Sequence, residues 1–174
     1  TAAITETGAL YMWGTIPGTL DGGDRTVLSP ERVDLHFQHL GAVASQPFAY
    51  ERPVSVRTVA CGRCHFAAVG AWRRRCVACR VDDGKIAGRR RTCSGCETVS
   101  SVWTWGHGGD GALGQGHGVE DLSALTPSIV AGGYRGRTFP TDVISVSCGE
   151  NHTSCVTASG DLYCCKPQAI LSTT

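Results

Sequence analysis

The chain has 174 residues, 23 of them glycine, with four tryptophans, four tyrosines and four phenylalanines. That length implies one domain, and glycine turns punctuated by aromatic anchors favour short strands over long helices. A formal net charge of +1 selects no particular partner, and no run approaches the ~18 apolar residues of a membrane span.

The first residue is Thr1 rather than a methionine, so the chain is expected to be a fragment or a processed product. Ten cysteines are many. Their spacings give no small secreted framework, and three CxxC pairs occur, so reduced intracellular thiols or metal ligands fit better than disulfides.

In chain order, the first turn is Thr7-Gly8-Ala9, a hairpin connection leading into a strand over 10–13. A β-branched strand follows over 54–60, then Cys61-Gly62, then a strand over 65–69. Glycine at the Cys-Gly step is expected for backbone angles that other residues avoid. The segment 70–101 interrupts the pattern, which resumes with a strand over 102–105. Strands over 143–147 and 152–157 and the turn Ser159-Gly160-Asp161 close the series. Little has a helical period, so the elements make an all-β array.

Laid over itself, the chain repeats. Val56-Arg57-Thr58-Val59-Ala60-Cys61-Gly62-Arg63-Cys64-His65 lies over Val143-Ile144-Ser145-Val146-Ser147-Cys148-Gly149-Glu150-Asn151-His152, with a shared Cys-Gly-x-x-His core. Ile4-Thr5-Glu6-Thr7-Gly8-Ala9-Leu10-Tyr11 lies over Val156-Thr157-Ala158-Ser159-Gly160-Asp161-Leu162-Tyr163. Leu10-Tyr11-Met12-Trp13-Gly14 matches Val102-Trp103-Thr104-Trp105-Gly106, and Ser29-Pro30 matches Thr126-Pro127. Five residues separate Ile4 from Leu10 and Val156 from Leu162, but 32 separate Val69 from Val102. Without the surplus, the period is about 60–65 residues, a propeller-blade length somewhat above the kelch period of ~50.

Two features carry a resemblance. One is Val102-Trp103-Thr104-Trp105-Gly106-His107-Gly108-Gly109-Asp110-Gly111-Ala112-Leu113-Gly114-Gln115-Gly116, an apolar-aromatic strand, then Trp-Gly, then spaced glycines and Leu-Gly. The other is the pair of Cys-Gly-x-x-His turns. At these residues the chain resembles the regulator of chromosome condensation repeat family, over all but 70–101. The resemblance implies an all-β partial β-propeller of about two four-stranded blades from a presumed seven-bladed parent, with one long loop insertion. Residues 1–69 are then a first repeat region, 70–101 the insertion, and 102–174 a second, truncated region. Gly14-Thr15-Ile16-Pro17-Gly18 lacks the full glycine spacing, and Cys165-Lys166 stand where Trp-Gly is expected.

The motif residues read as structural. Trp13 and Trp105 suit packing of one blade on the next. Gly14, Gly106, Gly108, Gly111 and Gly114, with Leu113, let the backbone run close to neighbouring strands. Gly106, Gly108 and Gly111 also spell GxGxxG, but no helical stripe follows, as a dinucleotide site would need. His65 and His152 recur at one repeat position, which suits a buried hydrogen bond ordering a turn rather than catalysis. Cys61 and Cys148 read as small buried apolar residues beside Gly62 and Gly149. Cys64 has Asn151 as its counterpart, so the Cys61-x-x-Cys64 pairing is incidental.

Segment 70–101 has seven arginines and Lys85 against Asp82, Asp83 and Glu97. Cys76, Cys79, Cys93 and Cys96 form two CxxC pairs, the usual way to present four thiolates to zinc, with arginines nearby for phosphates. Lengthening a loop from 5 to 32 residues costs only about 1.6 kcal/mol, so a disordered loop without metal is equally open. So is translated non-coding sequence.

No nucleophile–base or carboxylate pair is tied to a motif, so no catalytic or cofactor-binding residue is expected. The resemblance implies protein interaction: guanine-nucleotide exchange on a Ran-type small GTPase, binding of chromatin proteins, or a scaffold domain of a larger protein. It implies an intracellular place, nucleus and cytoplasm undistinguished. The alternative is zinc-dependent nucleic-acid binding through the insertion.

Overall fold

The computed structural model describes residues 1–16, 24–35, 54–74, 97–108, 111–115, 124–130 and 139–165. Among them there is no α-helix. The strands are β1 (Ala2–Ile4), β2 (Leu10–Ile16), β3 (Arg25–Val33), β4 (Ser55–Cys61), β5 (His65–Arg74), β6 (Glu97–Gly106), β7 (Ala124–Ile129), β8 (Val143–Cys148), β9 (Thr153–Thr157) and β10 (Leu162–Cys165). They form three antiparallel sheets ordered β1-β2-β3, β4-β5-β6-β7 and β8-β9-β10. This is a partial β-propeller, with one complete four-stranded blade between two of three strands.

The two short hairpin turns agree bond for bond. Thr5 N–H donates to Ala9 O at 2.9 Å, and Thr157 N–H to Asp161 O at 3.0 Å. The two threonine hydroxyls accept from Ala9 N–H and Asp161 N–H, each at 3.0 Å. Gly8 and Gly160 have φ of +83° and +90°, where only glycine sits without strain.

The outer strands repeat a second irregularity. From Met12 to Gly14, β2 advances two residues while β3 retreats four, from Glu31 to Val27. From Thr104 to Gly106, β7 likewise passes from Ser128 to Ala124. The looped-out stretches hold Pro30 and Pro127, where a missing N–H removes no ladder bond. Gly14 and Gly106 close the irregularity at φ of +93° and +103°, which is why Trp is followed by Gly in both repeats.

Side chains alternate across β5. Phe66 and Ala68 join Leu10, Met12, Leu35, Val56, Trp103 and Trp105 between the first and second sheets. Ala67 and Val69 join Val102, Val130, Val143, Val146 and Cys155 between the second and third. β5 is therefore buried on both faces, with partners on both edges. Phe66 stacks on Trp105 at 5.6 Å, and Trp72 meets Trp103 edge-on at the same separation.

Val69 pairs with Val102 across the β5–β6 hairpin, but the ladder continues through Gly70↔Ser101 to Arg74↔Glu97. The ends of the expected insertion are thus strand. Val99 and Ser101 are buried. Ser100 N–H donates to Thr141 O at 2.8 Å and its hydroxyl to Val143 O at 2.5 Å, so this extension fastens the third sheet's entry. Residues 75–96, with the expected disorder, lie outside the described residues. No helix among the described residues is long and apolar enough to cross a membrane.

Candidate functional site

The two Cys-Gly-x-x-His turns lie side by side on one rim of the stacked sheets. Each is closed by its own backbone: Gly62 N–H donates to His65 O at 2.8 Å and Gly149 N–H to His152 O at 2.9 Å. Neither glycine has a positive φ, which corrects the expected reason for glycine here. The cause is crowding. A Cβ on Gly62 would lie 2.7 Å from His65 Nδ1 and 2.6 Å from Gly149 O. A Cβ on Gly149 would lie 2.6 Å from both nitrogens of the His152 ring.

His65 is buried, with Nε2 3.0 Å from Thr153 Oγ1 in the third sheet. The Thr153 hydroxyl donates to Ala112 O at 2.8 Å. Its single proton is thereby committed, so His65 Nε2–H donates to it. Burial holds His65 below its usual 6.5; the His152 carbonyl opposes this, while His152 and His107 add to it.

His152 is exposed. The expected buried bond therefore forms at His65 and not at His152, before which no further sheet stands among the described residues. Cys61 is exposed and Cys148 half-buried, another correction. Both occupy the last position of their strands, and Cys148 packs against the edge of the second apolar layer. Cys148 Sγ lies 3.7 Å from Ala60 O across the junction. Burial pushes its thiol up to about 11, partly offset by the Thr153 hydroxyl. Cys155 rises to about 11 through burial, then through Cys165 and Cys164. Such thiols stay protonated at neutral pH and make poor nucleophiles.

The glycine loop after β6 locks onto the same junction. Gly111 and Gly114 have φ of +71° and +64°, and Gly108 is buried. Thr104 Oγ1 donates to Leu113 O at 2.7 Å and accepts from Gln115 Nε2 at 3.0 Å. Ala112 and Leu113 are buried. A Cβ on Gly114 would strike Cys165 Sγ, so Cys165, standing where tryptophan was expected, packs on the preceding repeat's loop. Trp105 is 3% exposed, whereas Trp13 is only half-buried.

Arg63 and Glu150 occupy the same place in their two turns and pair across the rim, both well exposed. Asn151 and His152 are exposed beside them. The sequence alone did not reveal Thr153, Ala112 O or the Arg63–Glu150 pair. A hydroxyl residue directly after one of two aligned histidines was the available signal, obscured because its counterpart is Phe66. Cys76, Cys79, Cys93 and Cys96 lie outside the described residues, among which no three metal-ligating side chains converge.

Residues 100–156 match the family model for the regulator of chromosome condensation (RCC1) repeat. No curated protein matches the chain. Among solved structures, the chain is similar to Prp20p of Saccharomyces cerevisiae, at 16% identity and a TM-score of 0.35 over 95% of this chain and 41% of that one. A second yeast RCC1 (Prp20) structure, with Kap60 bound, gives 17%, 0.34, 95% and 39%. Human WBSCR16 gives 18%, 0.31, 94% and 44%. The chain thus spans less than half the length of each. The matched segment 100–156 runs from within β6 to within β9, and there the chain is similar to a regulator of chromosome condensation repeat.

Proposed function

We propose that the chain is a protein-interaction module that binds a protein partner through the rim carrying Arg63, Glu150, Asn151 and His152. The observation that supports this is the division of labour in the repeat. His65, Thr153, Ala112, Leu113 and the spaced glycines are engaged in joining sheets, while the aligned turns present charged and polar side chains outward. Function in such a scaffold lies in its loops rather than in its fold. The partner class is a Ran-type small GTPase or a chromatin protein; the yeast protein Prp20p binds Gsp1p and histones.

The test is calorimetric titration of the chain with a Ran-type GTPase and with core histones, alongside release of a fluorescent guanine nucleotide from the GTPase. Saturable binding to one of them, weakened at least tenfold by joint Arg63→Ala, Glu150→Ala and Asn151→Ala substitution, is expected. Binding unchanged by that triple substitution would refute the rim. No binding to either protein would refute the partner class. Accelerated nucleotide release would identify exchange as the activity.

A further inference from the structure

The second and third sheets meet around one buried imidazole. His65 is 1% exposed. Its Nε2–H donates to Thr153 Oγ1 at 3.0 Å, and that hydroxyl's proton goes to Ala112 O at 2.8 Å. β5, β9 and the glycine loop are thus tied by a relay with a fixed direction. A second proton on the ring would go to Nδ1, on the side where the Gly62 backbone closes against it. Among the groups facing His65, the His152 carbonyl favours that charge, but burial outweighs it. His107 follows β6 and His152 precedes β9, and both rings disfavour a positive charge at His65. On β8 the Cys148 thiol stays neutral up to about 11. At the mouth the Glu150 carboxylate is engaged by Arg63.

We propose that this junction is an acid-labile latch: neutral His65 holds the third sheet to the second, and proton uptake at His65 releases it. The direction follows from linkage. Burial lowers the proton affinity of His65 in the closed state below its ordinary 6.5. The latch is therefore at full strength above that pH. Below it, an opened junction takes up a proton that the closed one refuses, weakening closure by up to about tenfold per pH unit for one proton. The exposed His152, in register but with no further sheet against it among the described residues, makes no such latch.

The test is amide hydrogen exchange on the full chain at pH 7.5 and 5.5, corrected for intrinsic rates. Protection at Val146 and Cys155 should fall at pH 5.5, by up to about tenfold for one proton, with Leu10 and Met12 little affected. His65→Gln keeps an N–H donor that does not titrate and should abolish the difference. An equal pH response in H65Q, or a uniform loss across all three sheets, would overturn the proposal. Should H65Q not fold, the imidazole C–H resonance of His65 decides in the unaltered chain. A midpoint below 6.5, with the Thr153 amide shifting in step, supports the latch; a midpoint at or above 6.5 overturns it.

Discussion

A methyl group at Gly62 would sit 2.6 Å from the Gly149 carbonyl oxygen and 2.7 Å from His65 Nδ1. Neither neighbour is the loose end of a flexible chain, so the turn itself must shift. Gly62→Ala should destabilise the chain by about 1–3 kcal/mol, as overpacking does, read from the urea midpoint. Trp105→Ala removes a side chain buried among Phe66, Met12 and Leu10 and should cost about 3–5 kcal/mol. Trp13→Ala, at the matching but half-open position, should cost distinctly less in the same assay. Equal losses would show that both tryptophans anchor alike, as the repeat suggests. The repeat located these residues but not their surroundings. A glycine needed for torsion and one needed for a ring read alike in a string of letters, and two aligned tryptophans carry no mark of what covers each.

The hairpin β5–β6 was partly legible as an element. The Val69↔Val102 pairing followed from the repeat. The five further pairs beyond it did not, because Trp72, Arg73 and Arg74 belong by composition to the basic segment. Yet Ala71, Val99 and Ser101 alternate inward as strand residues do. Two deletions should therefore differ. Replacing 75–96 with a short turn leaves every described pair intact and should preserve the urea midpoint or raise it slightly through closure entropy. Removing all of 70–101 also takes away Val99 and the Ser100 bonds to Thr141 and Val143. It should cost several kcal/mol, on the scale of deleted core side chains. Equal midpoints for the two deletion variants would show that the extension adds nothing. Elemental analysis of the unaltered chain beside the 75–96 variant, which lacks Cys76, Cys79, Cys93 and Cys96, would also show whether zinc accompanies those cysteines.

Across the whole molecule, one repeat position meets different fates. Val102 is 1% exposed between the second and third sheets, while Leu162, its counterpart in β10, is 71% exposed. Val102→Ala should cost about 2 kcal/mol, and Leu162→Ala less than about 0.5 kcal/mol, compared by urea unfolding. Stacking order, not residue type, sets the difference, and sequence alone does not display it. The exposed ion pairs Arg25–Glu31 and Arg32–Asp34 add at most about 1 kcal/mol each. The sheets are held by their two apolar layers, the His65 relay and the Ser100 bonds to the third sheet's entry.

The doubly buried strand β5 also bears on how quickly the chain finds its fold. Its hairpin with β6 contributes to both apolar layers, yet Arg74 and Glu97, where the ladder ends, are joined by a far longer segment than the Ile4–Leu10 or Thr157–Leu162 hairpins need. Non-local pairings must be reached by a search before they are rewarded. The outer hairpins can therefore close early and wait for the central one, so the transition state awaits β5 meeting β6. Shortening 75–96 should raise the refolding rate while leaving the unfolding rate nearly unchanged, because the ladder that must break is the same. Stopped-flow refolding and unfolding arms would separate the two.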